Sequence, residues 1–201
     1  KFYVGLGFLL LLIILINNLR IKRKAKELSR IIEKRTKEIM AQKDKIDVQK
    51  KKIEELYFDI KDSIQYAKRL QESILPTDLH VKTLFPSSFV LNLPKDIVSG
   101  DFYWTYKKEN ELFFAAADCT GHGVPGAFIS FIGVTGLNSA LKEHDLNDPG
   151  EILDDLNSYA VEILNKSNDQ ISLRDGMDIA ICSINLDNML LKYAGAKNPV
   201  Y

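Results

Sequence analysis

The chain has 201 residues, of which 46% are hydrophobic and 27% charged, enough for one globular domain and an extension. The formal net charge is zero, but residues 1–75 carry 18 Lys and Arg against 10 Asp and Glu, and residues 76–201 carry 9 against 17. The acidic second half suits cation binding and argues against nucleic acid as a partner. Because the two cysteines form no C-x-x-C motif, a zinc site is not expected.

The first 18 residues are dominated by an apolar run over residues 2–16, and a basic cluster follows between Arg20 and Lys26. A membrane-spanning helix needs about 20 apolar residues, and Lys and Arg mark its cytoplasmic side. The alternatives are a signal peptide, which would need a small-residue cleavage site, and a buried core helix. We predict that residues 1–18 end a transmembrane helix and that the rest of the chain is cytoplasmic. Because the first residue is Lys1, we also expect a fragment.

Residues 19–75 contain no proline or glycine, and isoleucine or alanine recurs every seventh residue from Ile32 to Ile74. Seven-residue spacing predicts a left-handed coiled coil, and β-branched residues in this column favour a parallel homodimer. Four of the seven companion core positions are polar, namely Arg35, Gln42, Gln49 and Ser63. We therefore predict a coiled-coil signalling linker that pairs weakly enough to shift register. The alternative is a single solvated helix.

Pro76 is expected to end this helix, and residues 76–201 are expected to form a separate domain. The predicted elements are a loop over 77–86, strands over 89–93, 97–106 and 112–117, helices over about 125–142 and from 149, and strands over 177–186 and 190–194. Gly133 and Gly136 in the first of these helices predict a close approach to the sheet. Strands, paired helices and further strands indicate an α+β or α/β sandwich.

Two aspartates of this domain follow apolar segments. Asp118 ends the apolar run 112–117 and precedes a glycine-rich turn, and Asp101 follows Ser99 and Gly100. A hairpin of the two strands would place both carboxylates on neighbouring strands. Hard divalent cations take oxygen ligands, so the pair predicts a shared metal site. The alternative for Asp118 alone is a capping role in the turn.

Four blocks occur in the chain in a fixed order: residues 99–104 (SGDFYW), 117–127 (ADCTGHGVPGA), 175–178 (DGMD) and 193–199 (YAGAKNP). Together with the lead-in over residues 67–76, they resemble the SpoIIE/RsbU branch of the PPM-type serine/threonine phosphatases. The resemblance covers about residues 65–201. It implies the αββα sandwich of that family, truncated at its C-terminus. It also implies metal-dependent hydrolysis of phosphoserine or phosphothreonine on a regulatory protein, such as an anti-sigma-factor antagonist.

The resemblance further implies two Mn²⁺ or Mg²⁺ ions. Asp118 would bridge both ions, the backbone carbonyl of Cys119 would join the first, and Asp101 would complete the second site. Asp101 and Asp118 are therefore the expected catalytic residues. Family members carry further metal-binding aspartates, which would lie beyond Tyr201.

The resemblance does not assign a functional role to three other polar residues in the blocks. Asp175 and Asp178 match a strand motif of the family and not its established ligands, which leaves their roles open. His122 lies four residues after Asp118, whereas type 2C relatives place a histidine two residues after the aspartate. We therefore expect a turn histidine bonded to the backbone, in preference to a general acid.

Other classes of protein remain as alternatives at this point. A catalytically inactive scaffold of the same fold is one of them. A sensor kinase is another, because residues 33–39 resemble linkers that follow sensor modules, although nucleotide-binding glycine boxes are missing from the sequence. A cysteine phosphatase is not expected, since neither Cys119 nor Cys182 has a basic partner to favour a thiolate.

Overall fold

The computed structural model of the chain describes residues 2–165 and 175–199, with the side chains of residues 2–6 and 8–10 left out. The chain divides into two compact units, Lys1–Asp59 and Ile60–Tyr201.

The first helix, α1, spans Phe2–Ile74 and ends two residues before Pro76, as expected from the missing N–H of proline. Within the first unit, the isoleucines of the seven-residue column are between 56% and 66% exposed: Ile32, Ile39, Ile46 and Ile53. Exposed ion pairs such as Lys37–Glu33, 2.8 Å apart, add little stability. The column thus offers a surface to a second helix, and the coiled coil stays a prediction.

The predicted membrane span falls largely on residues 1–10, most of whose side chains lie outside the described ones. Across the part of the chain that the structure describes, one helix is long and apolar enough to cross a membrane, Gly123–Lys142. Half of that helix is buried in the protein, which is the pattern of a core helix. The span over residues 1–18 therefore stays a prediction.

The second unit contains one antiparallel sheet in the order β1-β2-β3-β4. Its strands are β1 (Phe102–Lys108), β2 (Glu111–Cys119), β3 (Met177–Asn185) and β4 (Leu191–Ala196). A two-residue turn, in which Glu109 has a φ of 51°, joins β1 to β2 and fixes their register. Along β2, Phe113, Ala115 and Ala117 are buried, whereas the residues between them are less buried, so one face of the sheet carries the core.

Three helices accompany the sheet: α2 (Asp78–Leu84), α3 (Gly123–Lys142) and α4 (Pro149–Leu164). The predicted start of α4 is confirmed, because the Asp148 side chain accepts a hydrogen bond from the Gly150 N–H at 3.0 Å. Helices α3 and α4 pack on each other and on the sheet, where Ile152 and Leu156 of α4 join the core.

The two glycines inside α3 allow two different contacts. A Cβ at Gly133 would lie 2.6 Å from a ring carbon of Phe102 in β1, which confirms the predicted approach to the sheet. A Cβ at Gly136 would lie 2.6 Å from Leu156 in α4. The second close approach is therefore between helices, and the prediction of a sheet contact there was wrong.

Three sequence predictions differ from the structure. The predicted loop 77–86 contains α2, because the Thr77 hydroxyl accepts a hydrogen bond from the His80 N–H and caps this helix. Residues 89–93 form no strand, and Phe89 and Leu93 are at least 80% exposed. The predicted strand 97–106 begins only at Phe102, because the preceding residues pack on the glycine-rich turn instead of a strand.

The class predicted from the sequence, α+β, is confirmed by the antiparallel sheet with helices packed on it. The four strands form one sheet among residues 2–165 and 175–199. A second sheet, which an αββα sandwich requires, stays a prediction.

Candidate functional site

The two aspartates singled out in the sequence are neighbours in the structure. Asp118 is the penultimate residue of β2 and is exposed, while Ala117 and Cys119 on either side are buried. The β1–β2 ladder pairs Phe102 with Ala117, so Asp101 comes opposite Asp118 just before β1 begins. The register of the hairpin therefore brings both carboxyl groups to one end of the sheet.

The negative charge of Asp118 affects the ionisation of Asp101. The pKa of Asp101 is raised above its usual value by partial burial, by the negative charge of Asp118 and by a hydrogen bond with the Asp118 side chain. Two carboxylates in contact resist ionising together, and a cation between them would remove that cost. The pair thus has the chemistry of a cation site.

A complete set of metal ligands is not present among the described residues. They contain no group of three or more His, Cys, Asp and Glu side chains placed to hold an ion. The Asp101–Asp118 pair therefore fits a hard divalent cation as part of its donor set, with further oxygen ligands needed to complete it.

Three glycines bring the segment before Asp101 into contact with the turn after Asp118. A Cβ added at Gly100 would lie 2.8 Å from the Gly121 carbonyl oxygen and 3.3 Å from that of Cys119. One added at Gly126 would lie 2.6 Å from the same Gly121 oxygen. Gly121 also has a φ of 89°, in the region that glycine adopts without strain. The turn therefore closes around backbone atoms that a side chain would displace.

Cys119 contributes only its backbone to this site. The thiol is buried, and burial together with the charges of Asp101 and Asp118 raises its pKa to about 12. The side chain therefore stays protonated at neutral pH and is a poor nucleophile. Its carbonyl oxygen lies beside Gly100, the residue before Asp101, and its role in metal binding stays a prediction.

The prediction that His122 bonds to the backbone was wrong. Its Nδ1 lies 2.7 Å from Oδ2 of Asp96, and both side chains are well exposed. His122 occupies the N-cap position of α3 without a side-chain capping bond. No local sequence pattern indicated this pair, because Asp96 is 26 residues upstream.

The third sequence block is hydrogen-bonded to the second. The Thr120 N–H donates to the Gly176 carbonyl at 2.9 Å, and the Gly176 N–H donates to the Thr120 hydroxyl at 3.2 Å. In the β2–β3 ladder, Asp178 lies directly opposite Asp118, so both side chains are on the same face of the sheet. The fourth block begins within β4, on the far side of β3 from β2, and continues past the end of this strand.

One residue with a close connection to the site was not identified from the sequence. Gln71, near the end of α1, is buried and makes hydrogen bonds to both backbone groups of Ser99, two residues before Asp101. It lies in the lead-in block 67–76, whose position in the family resemblance was the only signal for it.

Comparisons with known proteins match the second unit. Residues 108–201 match the family model described as Stage II sporulation protein E (SpoIIE). The chain is also similar to the solved structure of the SiaA-PP2C domain of Pseudomonas aeruginosa, with 31% sequence identity and a TM-score of 0.62. That match covers 69% of this chain and 54% of the other, so the chain spans about half the length of the solved structure. No curated protein matches the chain.

The region matched by the family model begins at β1's last residue and includes Asp118 but not Asp101. The structural match covers a larger part of the chain and confirms the PP2C-like α+β fold. Both comparisons agree with the family suggested by the four sequence blocks. Residues 108–201 therefore match the SpoIIE family, and the chain has a PP2C-like α+β fold, which supports the SpoIIE/RsbU-like PPM phosphatase fragment that the resemblance implied.

Proposed function

We propose that the chain belongs to a metal-dependent protein phosphatase that hydrolyses phosphoserine or phosphothreonine on a regulatory protein, such as an anti-sigma-factor antagonist. The observation that carries this proposal is the strand register that brings Asp101 opposite Asp118, where desolvation and the charge of Asp118 raise the pKa of Asp101. Repulsion between the two carboxylates favours a bound cation, and the chain is similar to SpoIIE and to a PP2C domain. The complete domain would be an αββα sandwich.

The residues of the site would act as ligands for two Mn²⁺ or Mg²⁺ ions. Asp118 would bridge the ions, with the Cys119 carbonyl at the first and Asp101 at the second. Such ions, when bound, lower the pKa of a bound water and neutralise charge on phosphoryl oxygens. The chain's own part is to hold the oxygen ligands close together, which the contacts of Gly100 and Gly126 with the turn support. Because the Cys119 thiol stays protonated, no covalent cysteine intermediate is expected.

We further propose that residues 1–18 end a transmembrane helix and that residues 19–75 form a parallel homodimeric coiled coil through which a membrane sensor controls the phosphatase. The exposed column of isoleucines in α1 supports the pairing, since four such side chains are each more than half exposed. The basic cluster after residue 18 supports a cytoplasmic position for the remainder.

A second candidate function is a catalytically inactive signalling scaffold with the same fold. Asp101 and Asp118 would be present in either case, so the two functions differ in whether phosphate is released. A scaffold would bind the phosphorylated partner without releasing phosphate.

The test uses the full-length protein, Mn²⁺ and a phosphoserine-containing protein, with release of phosphate as the readout. Asp118→Asn should abolish release, whereas Asp154→Asn, a matched change at an exposed residue of α4, should leave it intact. Binding of the phosphoprotein by the wild type without phosphate release would favour the scaffold. Incorporation of label from ATP would instead identify a kinase. Equal turnover by wild type and Asp118→Asn would show that the site is assigned wrongly.

A further inference from the structure

The side chain of Gln71 is a buried polar group with a full set of partners. It is only 8% exposed, although glutamine is normally a surface residue. Its Nε2 donates to the Ser99 carbonyl at 2.6 Å and to the Ser130 hydroxyl at 2.9 Å. Its Oε1 accepts from the Ser99 N–H at 3.0 Å. Buried amides are retained where their bonds are satisfied, and here all of them point to the segment before Asp101 and to α3.

The two bonds to Ser99 take the place of the hydrogen bonds that a neighbouring strand would make. Residues 97–101 lie outside β1 and therefore have no ladder partners. The Gln71 amide presents one donor and one acceptor to the same residue, which is what a neighbouring strand presents in a hydrogen-bonded pair. The peptide planes on both sides of Ser99 are thereby fixed, and the second of them leads into Gly100 and Asp101.

The third bond connects this segment to the helix that follows the glycine-rich turn. The Ser130 hydroxyl, which accepts from Gln71, itself donates to the Ala127 carbonyl within α3 at 2.8 Å. Gly100 and Gly126 lie close together, and Gln71 bonds to the segment that contains the first and to the helix that contains the second. A single side chain holds the segment that bears Asp101 against the element that follows Asp118.

We propose that Gln71 is a positioning residue for the metal ligand Asp101, acting through the backbone of Ser99. This inference rests on the proposed function, because it takes Asp101 to be a ligand. Groups that orient a metal ligand without touching the metal typically change metal affinity about 10–100-fold when they are lost. A purely structural Gln71 would instead change the stability of the fold and leave the affinity of the folded protein for Mn²⁺ unaltered.

The test compares Gln71→Met with Gln65→Ala in the full-length protein. Methionine fills a similar volume without a donor at its end, and Gln65 is an exposed glutamine on the same helix. Mn²⁺ affinity is measured by calorimetry, and amide exchange of residues 97–101 is followed in metal-free protein by mass spectrometry. We expect Gln71→Met to lower Mn²⁺ affinity about tenfold or more and to accelerate exchange at Ser99, while Gln65→Ala matches the wild type.

Two further variants test the role of Gln71 if Gln71→Met does not fold or if the effect comes from helix packing. Gln71→Asn retains the amide but is one methylene too short, so it should show the same loss if Gln71→Met fails to fold. Ser130→Ala removes one partner and leaves both bonds to Ser99, so its Mn²⁺ affinity should stay near that of the wild type. A loss in Ser130→Ala as large as that in Gln71→Met would place the effect in helix packing and overturn the inference.

The outcomes separate this inference from the proposed function. Wild-type protein that binds Mn²⁺, with unchanged affinity and exchange in folded Gln71→Met or Gln71→Asn, overturns the role of Gln71 alone. Wild-type protein that binds no Mn²⁺ overturns the proposed metal site and, with it, the role of Gln71.

Discussion

Replacing Gly100 by alanine tests whether the close approach of two backbone segments builds the site. The added Cβ would lie 2.8 Å from the Gly121 oxygen, whereas ordinary contacts begin at 3.4 Å. One of the two segments must therefore move by about 0.6 Å, because both contacting groups are backbone and cannot rotate away. The moving segment carries either Asp101 or the turn that follows Asp118.

The size of the effect follows from this displacement. Forcing an extra methyl group into a packed region costs about 1–3 kcal/mol. For a domain of this size that loss lowers the melting temperature by about 4 °C per kcal/mol, or about 4–12 °C in total. A misplacement of about 1 Å in a catalytic site lowers the rate about 100-fold, so a shift of about half that size should cost about tenfold in turnover.

The assay uses full-length protein and has a matched control in Gly176→Ala. Among the residues that the structure describes, a Cβ at Gly176 would meet no atom within 4 Å, although this residue also contacts the turn through its backbone. Thermal unfolding is measured without metal, and Mn²⁺ affinity and phosphate release are measured at a temperature where both variants are folded. If Gly100→Ala and Gly176→Ala have the same melting temperature and the same Mn²⁺ affinity, the close approach has no role in building the site.

Three further predictions concern charge and control. Asp118→Asn should abolish Mn²⁺-dependent phosphate release and leave far-UV circular dichroism unchanged, since the exposed side chain is not part of the core; wild-type rates at limiting Mn²⁺ would contradict this. In metal-free protein the folded state raises the pKa of Asp101, so stability should fall as pH rises from the ordinary carboxyl value of 3.8 through the raised one. Melting temperatures of the wild type should show this fall more strongly than those of Asp118→Asn, and identical pH profiles would exclude the repulsion. Replacing both Gln42 and Gln49 by leucine should strengthen the core of the coiled coil and fix phosphatase activity at one level. A Gly-Ser insertion after Leu75 should uncouple activity from the stimulus. Unchanged stimulus dependence in membranes for both variants would show that residues 19–75 are only a spacer.

Local sequence patterns predicted an element correctly where the residues at its ends strongly prefer one conformation. The start of α4 at Pro149 and the hairpin of two neighbouring strands were both predicted from local residues, and the hairpin in turn placed Asp101 beside Asp118. The end of α1 followed from Pro76 for the same reason. These predictions depend only on residues close together in the chain.

The sequence predictions failed where contacts between distant residues decide the conformation. Ile97 and Val98 resemble the start of a strand, but Gly100 packs on the turn that contains Gly121, and β1 begins later. Gln71 is 28 residues from Ser99, and no spacing rule indicates which buried amide a side chain will reach. The carboxylate partner of His122 was missed for the same reason.

The contacts of Gln71 bear on how such proteins can be divided and recombined. A protein that begins at Pro76 would lack this amide and leave both backbone groups of Ser99 without these bonds. One that begins at residue 108, where the family model starts, would lack Ser99 and Asp101 as well. It would also lose Ile74 and Leu75, which pack against the core. The last turns of α1 therefore belong structurally to the domain that carries Asp101 and Asp118. A fusion protein that keeps this domain intact must be joined upstream of residue 71.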